Sequence, residues 1–282
     1  MIVAFLDRLT GYSRERYKFY KAHGYKLNLK NPKSLNEKIV YKKIYDRSDL
    51  IPYVADKLNL FFYMEQKLGS DLAKKYHVKK YWQSDKHKEI PYDDLPNQFV
   101  LKSNHGSGNN YVVWDKSKID NKEIENLCFR WLKKDYGVRS HEWAYTKIKR
   151  KIFAEKLLLT DDMKIPKDYK FHMMNGECHL IQVDVSRFSE FKRNLYDKDW
   201  NFLSVKWKRE CGEGVRRPGS LDEMLFVAKK LSEDFDYIRV DFFLVGDNLY
   251  VGELTNYPAR GLGKITPTSF DYYLGDQWTL FN

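Results

Sequence analysis

Residues with chemical reach fall in two places along the chain, one around position 102 and one between positions 239 and 256. In the first, the apolar run Phe99-Val100-Leu101 ends in Lys102 and passes at once into Ser103-Asn104-His105-Gly106-Ser107-Gly108-Asn109-Asn110. A lysine at a strand end holds one positive charge in a fixed place, and glycines let backbone N–H groups turn towards an anion. The serines, asparagines and His105 add polar groups, so this stretch could hold a phosphate. The lysine precedes the glycines and a strand follows them, which is not the order of a Walker P-loop. Taken alone, the loop is equally what an ordinary hairpin turn looks like.

In the second place, Arg239-Val240-Asp241 and Glu253-Leu254-Thr255-Asn256 sit on two apolar runs separated by Gly246-Asp247-Asn248. If those runs pair antiparallel about that turn, Asp241 and Glu253 meet across the ladder, with Arg239 on the face of Asp241. Neighbouring carboxylates repel unless a cation bridges them. Hard oxygen donors beside a phosphate site favour magnesium over zinc, and Thr255 and Asn256 offer further oxygens. The competing reading is a plain surface ion pair of Asp241 with Arg239 or with a lysine.

Between these places, "IFAEKLLL" puts Glu155, Lys156 and Leu157 at the end of an apolar strand, whose edge could offer a flat base one backbone donor and one acceptor. "DYKF" adds Asp168 and Lys170, and "VDVSR" adds Asp184 and Arg187. Each of these alone is ordinary surface charge.

The elements that must position these groups follow from pattern. Residues 1–95 read as a mainly helical lobe. Ser34 and Glu37 form a capping box before an apolar face, and a helix is expected from Ala55 to Leu68, stopped by Gly69. "YHVKKYW" reads as a short strand. Residues 96–160 form a small strand-rich lobe: a hairpin around the glycine-rich loop, a helix over Asn121–Asp135, and the "KIFAEKLLL" strand. Residues 161–282 form a larger lobe, with hairpins turning at Asn175-Gly176 and at Gly246-Asn248 and a helix over Ser220–Asp234. The class is α+β.

The bulk composition narrows the field. The 282 residues are 43% hydrophobic, enough for a packed core, and the net charge of +11 favours anionic partners. The basic residues are dispersed and carry no nucleic-acid motif. The three isolated cysteines indicate neither a zinc site nor a disulfide framework. The run "MIVAFLDRL" is too short for a signal peptide, and no stretch reaches the length of a membrane span. A cytoplasmic protein is expected, with peripheral association to a membrane or to a polysaccharide-synthesis complex left open.

The ordered set "NPKSLNEKI", "ADKL", "DLPNQFVLK", "FVLKSNHGSGNN", "IFAEKLLL", "DYKF", "RVDFF" and "GELTNYPARG" resembles the TupA-like branch of the ATP-grasp superfamily, named for teichuronopeptide biosynthesis, over roughly residues 30–264. The resemblance implies two antiparallel-sheet lobes gripping ATP, preceded by a helical lobe. It implies Lys102 as a phosphate lysine and 103–110 as the closing loop. Glu155 to Leu157 would be the adenine hinge, with Lys156 as the second nucleotide lysine and Asp168 and Lys170 facing ribose and phosphate. Asp241 and Glu253 would be magnesium ligands, and Arg239 would steady the acyl phosphate and tetrahedral intermediate, with Arg187 a further catalytic candidate. The family's second metal motif usually reads Glu-x-Asn. Here Thr255 stands in the asparagine's place and Asn256 comes one later, on the opposite strand face unless the chain bulges.

The activity implied is ADP-forming ligation of a carboxylate to an amine through an acyl phosphate, with ATP and Mg2+ as cofactors. An acidic sugar, joined to an amino acid or amino sugar in surface or capsular polysaccharide synthesis, would suit the basic charge. The rival expectations are a glycosyltransferase or sugar kinase of the same pathways and a non-catalytic acidic-glycan binder. No DxD motif in a strand-to-loop frame supports the first rival, and the presence of both Asp241 and Glu253 speaks against the second.

Overall fold

The computed structural model describes residues 2–185 and 191–281. Six helices come first: α1 (Ile2–Leu9), α2 (Ser13–His23), α3 (Leu35–Tyr45), α4 (Leu50–Ala55), α5 (Leu60–Leu68) and α6 (Ser70–Tyr76). Next come β1 (Lys80–Ser84), β2 (Phe99–Ser103), β3 (Asn110–Val113), α7 (Asn121–Lys133) and β4 (Ile152–Lys156). The remainder holds β5 (Asp168–Met174), β6 (Glu177–Val185), β7 (Lys192–Tyr196), β8 (Phe202–Leu203), β9 (Lys206–Trp207), α8 (Leu221–Ser232), β10 (Tyr237–Val245), β11 (Asn248–Thr255), β12 (Ile265–Thr266) and α9 (Thr268–Asp276). None of the described helices is long and apolar enough to cross a membrane.

The smaller sheet runs β1-β4-β2-β3 and the larger β11-β10-β5-β6-β7-β8, each antiparallel throughout. Alternation assigns each sheet one apolar and one charged face. On the small sheet, Phe99, Leu101, Ile152 and Ala154 pack with Ile124, Cys128 and Trp131 of α7. On the large sheet, Tyr169, Phe171, Ile181, Val183, Val240, Phe242 and Leu254 pack with Met224, Val227 and Leu231 of α8 and with Tyr63 and Met64 of α5. Burying such side chains stabilises each lobe by roughly 1.5–3 kcal/mol apiece before entropy is counted.

The capping box at α3 is formed as its sequence indicates: Ser34 Oγ accepts from Glu37 N–H, and Glu37 returns the bond to the Ser34 N–H. The helix then locks to the far end of the chain. Asn36 donates to Asp271 and to the Gly263 carbonyl, both at buried atoms. Gly261, at φ +70°, lets the backbone lie against Val40, where an added Cβ would come within 2.6 Å.

The helix expected over Ala55–Leu68 starts only at Leu60, Ala55 being the last residue of the preceding α4. The chain breaks after Ala55 and resumes at Leu60, so Asp56 and Lys57 lie in the interruption. The Asp56 carboxylate accepts from Leu58 N–H (2.9 Å) and Asn104 Nδ2 (2.9 Å), a local turn that competes with continued helix. This break delivers Lys57 to the space between the sheets.

Candidate functional site

The charged faces of the two sheets look at a common cleft, lined by Lys57, Lys102, Gly106 to Asn110, Asp168, Asp241, Phe243, Gly252 and Glu253. The β2–β3 hairpin pairs Lys102 with Asn110, so the loop between them is a true hairpin tip above the cleft. Its root is buried and its tip is exposed. Asn104 is fully buried: its side chain donates to Asp56 and to the Lys149 carbonyl (3.0 Å) and accepts from Lys151 N–H (2.8 Å). The Asn104 carbonyl accepts from Lys57 N–H (3.0 Å), while Ser107 and Gly108 stand exposed. Gly106, at φ +72°, lies on the Tyr136 ring, where a Cβ would come within 2.6 Å.

Two loop residues expected to offer donors to a phosphate are turned away from it. Ser103 Oγ donates to the His105 carbonyl (2.8 Å) and accepts from Asn109 Nδ2 (3.0 Å). His105 is buried, and burial, with Arg150 and Lys57 nearby, lowers its imidazole to about 4, so it is neutral at physiological pH.

Strand β4 also sorts by face. Register places Lys80, Val100, Lys102, Phe153 and Glu155 on one side of the small sheet. Lys102 Nζ is ion-paired with Glu155 there. Lys156 alternates to the other side and is exposed at the strand end, its N–H bonded to the Lys79 carbonyl (2.8 Å). Its ammonium is therefore not brought to the cleft. Lys80 stands in its place, opposite Glu155 and 2.9 Å from His77 Nε2. Burial lowers the Lys80 ammonium to about 8. Leu157 is buried just past the end of β4.

On the large sheet, Asp241 is the cross-strand partner of Glu253 on one side and of Lys170 on the other. The sequence expectation for the carboxylate pair thus has its register. A bulge at Gly252, unpaired between Phe242↔Val251 and Asp241↔Glu253, shifts the phase of β11 and aims Glu253. Arg239 holds Asp241 through two bonds of 2.6 Å and reaches Glu253 (3.4 Å) and Thr255 Oγ1 (3.1 Å). The Asp241–Arg239 pair weighed as the competing reading is thus present. It is a buried, two-bond pair that also joins the second carboxylate. Lys57 Nζ lies 3.6 Å from Glu253 and bonds the Gly106 carbonyl at 2.7 Å, linking the hairpin loop to the carboxylates.

The two carboxyls feel different surroundings. Burial, aided by Glu253, pushes Asp241 up to about 6 against Arg239 and Lys170. For Glu253 burial acts the same way but is outweighed by Lys57, Arg239, Lys170 and Lys102, which hold it at about 2. Lys170 also pairs with Asp168 (3.2 Å) and Asp184 (3.0 Å), and Arg193 Nε holds Asp184 at 2.7 Å. Thr255 shares the face of Glu253, its hydroxyl 3.4 Å from Glu253 Oε1. The ladder is regular from Glu253 to Thr255 and ends there, and Asn256 lies in the bend that follows. Asn256 is buried with both carboxamide atoms unpartnered. Arg187 lies outside the described residues.

Lys57 and Lys80 were not singled out from sequence, and Asn104, expected as a donor to a phosphate, instead anchors the hairpin root. Lys57 sits in the quoted "ADKL" but reads as one more helical lysine, and Lys80 stands in a dispersed basic run. The Asp56-Lys57 pair directly after Ala55, followed by Leu58-Asn59, was the available sign of a helix break.

A lysine-and-glycine hairpin on one antiparallel sheet, facing a carboxylate pair on another, defines the two-sheet clamp of the ATP-grasp fold. The chain belongs to the TupA-like ATP-grasp family, whose family model matches residues 33–279. Solved structures with similarity include a D-alanine–D-alanine ligase from Bacillus anthracis complexed with ATP, at 15% identity over 72% of this chain and 55% of that one, TM-score 0.43. Another is the ADP complex of N5-carboxyaminoimidazole ribonucleotide synthetase, at 12% identity over 74% and 46%, TM-score 0.46. A third is the D-alanine–D-alanine ligase of Helicobacter pylori, at 16% identity over 74% and 55%, TM-score 0.38. The chain spans about half the length of these structures. No curated protein matches it.

Proposed function

We propose that the protein is an ATP-dependent ligase that activates a substrate carboxylate as an acyl phosphate and passes the acyl group to an amine. The observation that carries this reading is the Asp241–Glu253 pair, in register across one ladder and facing the lid and Lys102 over a single cleft. Aligned hard oxygens fit a divalent cation, and Asp241, Glu253 and the Thr255 hydroxyl are the groups that would hold magnesium. Bound there, the metal supplies charge neutralisation to the phosphates.

The chain's own residues account for the rest. Lys102, Lys57 and Lys80 put positive charge where a triphosphate would lie, and Lys170 adds a charge on the opposite sheet. The β4 end around Glu155 to Leu157 would seat the adenine. In the first step a carboxylate oxygen attacks the γ-phosphorus, the bond to the β–γ bridging oxygen breaks, and ADP leaves. In the second an amine nitrogen attacks the acyl carbon, inorganic phosphate leaves with the former carboxylate oxygen, and the amine loses a proton. Arg239, already a donor to both carboxylates, is placed to stabilise the oxyanion. The exposed lid tip would close and keep water from hydrolysing the acyl phosphate.

The basic charge of +11 supports an acidic sugar as the carboxylate substrate, joined to an amino acid or amino sugar in surface polysaccharide synthesis within the cytoplasm. The test is incubation with ATP, magnesium, a panel of uronic acids and a panel of amino acids and amino sugars, following ADP and phosphate. The expected result is ADP release that requires both acceptors and is lost in Lys102→Ala. Turnover of nucleotide sugars without ADP formation would instead establish the glycosyltransferase reading.

A further inference from the structure

We propose that the face formed by α1 and α2 docks the protein onto an anionic membrane surface. This inference rests on no residue of the cleft. A helix on a globular protein normally turns its apolar stripe inward. Helix α1 is inverted. Phe5, Leu6 and Leu9, spaced i, i+1 and i+4, form one stripe, and Phe5 and Leu9 are 63% and 68% exposed. The polar side is the one held down: Asp7 is buried, accepting from Arg14 N–H (2.7 Å) and paired with His141 Nε2 (2.7 Å).

Helix α2 turns Phe19 inward in the ordinary way, but it too buries its acid and leaves apolar rings outside. Glu15 is buried with Lys43 at 2.5 Å, beside Phe19 and His23, while Tyr17 and Tyr20 face outward. The first thirty residues contain seven Lys or Arg and two acids, and those two acids are Asp7 and Glu15. Both are consumed inside. The charges left outside are cationic, among them Arg8, Arg14 and Lys21, all exposed. A groove beside α1, lined by Phe5, Arg8, Arg47, Trp143 and Arg150, continues the combination of apolar wall and guanidinium.

Outward Phe, Leu and Tyr ringed by arginine and lysine, with no exposed acid on either helix and the groove's Asp135 ion-paired with Arg150, is the composition of an interfacial helix on anionic lipid. Tyrosine suits the headgroup depth because its ring is apolar and its tip polar. A protein partner would need a complementary acidic groove; a bilayer needs only negative headgroups and room for three apolar side chains.

Flotation with vesicles measures this directly, using pure phosphatidylcholine and equimolar phosphatidylcholine–phosphatidylglycerol. The full chain is expected to float with the anionic vesicles and not with the neutral ones, and to be released by high salt. The Phe5→Ser/Leu6→Ser/Leu9→Ser variant and the Arg14→Glu/Lys21→Glu variant are each expected to partition about tenfold more weakly or less. All five positions are exposed, so unchanged melting temperatures will show that the fold is intact. Equal flotation with both vesicles, binding unchanged in both variants, or a wild-type dimer that the Ser variant dissociates would each overturn the proposal, the last by assigning the face to a second copy of the chain.

Discussion

Lys102 on β2 and Glu155 on β4 form an ion pair on the cleft face of the small sheet, the only face from which Lys102 could meet a phosphate. A triphosphate would compete with Glu155 for the same ammonium. Lys102→Ala removes that charge and leaves Glu155 to Lys80. The wild type should gain about 2.7 kcal/mol of stability at an ATP concentration 100 times its Kd. Lys102→Ala should lose most of that gain in a thermal melt with magnesium and ATP, while its melt without nucleotide stays near wild type. Full retention of the ATP shift would contradict the assignment of Lys102.

Asp241 and Glu253 should separate stability from activity. Both are proposed to be indispensable to ADP release, and Asp241→Asn and Glu253→Gln should each lower it by about 100-fold or more. Their structural costs differ. Asp241 is 3% exposed and makes two bonds to a buried guanidinium, so its loss leaves Arg239 under-paired, at a cost of about 3 kcal/mol. Glu253 keeps a third of its side chain in solvent and should cost well under half of that. Urea denaturation alongside ADP release resolves the two effects. Equal destabilisation by both variants would show that the face is held together differently.

Asp184 makes an acid-stability prediction. Burial raises its carboxyl, but Lys170 and Arg193 outweigh burial and bring it down to about 2. A carboxylate whose folded value lies below its unfolded value contributes stability above the unfolded value, near pH 4, and loses it as pH falls towards 2. About 2 kcal/mol should disappear over that window. In Asp184→Asn this part of the acid slope should be absent from unfolding free energies measured between pH 5 and 2. A slope unchanged in the variant would assign the acid lability elsewhere.

Lys80 gives a prediction at the alkaline side. Burial holds its ammonium down to about 8, so it is charged at neutral pH and loses that charge as pH rises past 8. A bound triphosphate would stabilise the protonated form, so ATP binding should take up a proton near pH 8 and weaken above it. Calorimetry in buffers of different ionisation enthalpy measures the uptake. Lys80→Met should bind ATP more weakly at pH 7 and show no such dependence. Persistence of the proton uptake in Lys80→Met would remove Lys80 from the nucleotide site.

Much of this architecture was legible because it rests on local alternation. The closeness of Asp241 and Glu253 was legible from an antiparallel pair about one turn, and the β2–β3 hairpin from Lys102 and the glycines after it, but the register itself waited on the Gly252 bulge. What pattern could not carry was which face of β4 meets the cleft. Glu155 and Lys156 are adjacent, and only pairing with β1 and β2 shows that Glu155 turns in and Lys156 out. Lys57 was hidden because the helix break at Asp56 depends on Asn104, 48 residues away. His105 was misread as a phosphate donor because its burial comes from tertiary packing, which the hairpin sequence does not encode.

Asn104 carries the last prediction. Its carboxamide joins three segments, accepting from Lys151 N–H and donating to Asp56 and the Lys149 carbonyl, and its own carbonyl receives Lys57 N–H. The lid tip can move only if this root does not. Asn104→Ala leaves buried backbone groups and the Asp56 carboxylate short of partners, costing about 2–3 kcal/mol. The consequence for function is indirect: Lys57 loses the geometry that spans Gly106 and Glu253. The KM for ATP should rise about tenfold in Asn104→Ala while the acceptor KM stays near wild type, because the altered groups touch the nucleotide side of the cleft. Asn104→Asp, which keeps the acceptor for Lys151 N–H but sets a charge against Asp56, should recover no stability. A variant with normal KM for ATP despite the loss of stability would show that the lid and Lys57 position themselves without Asn104.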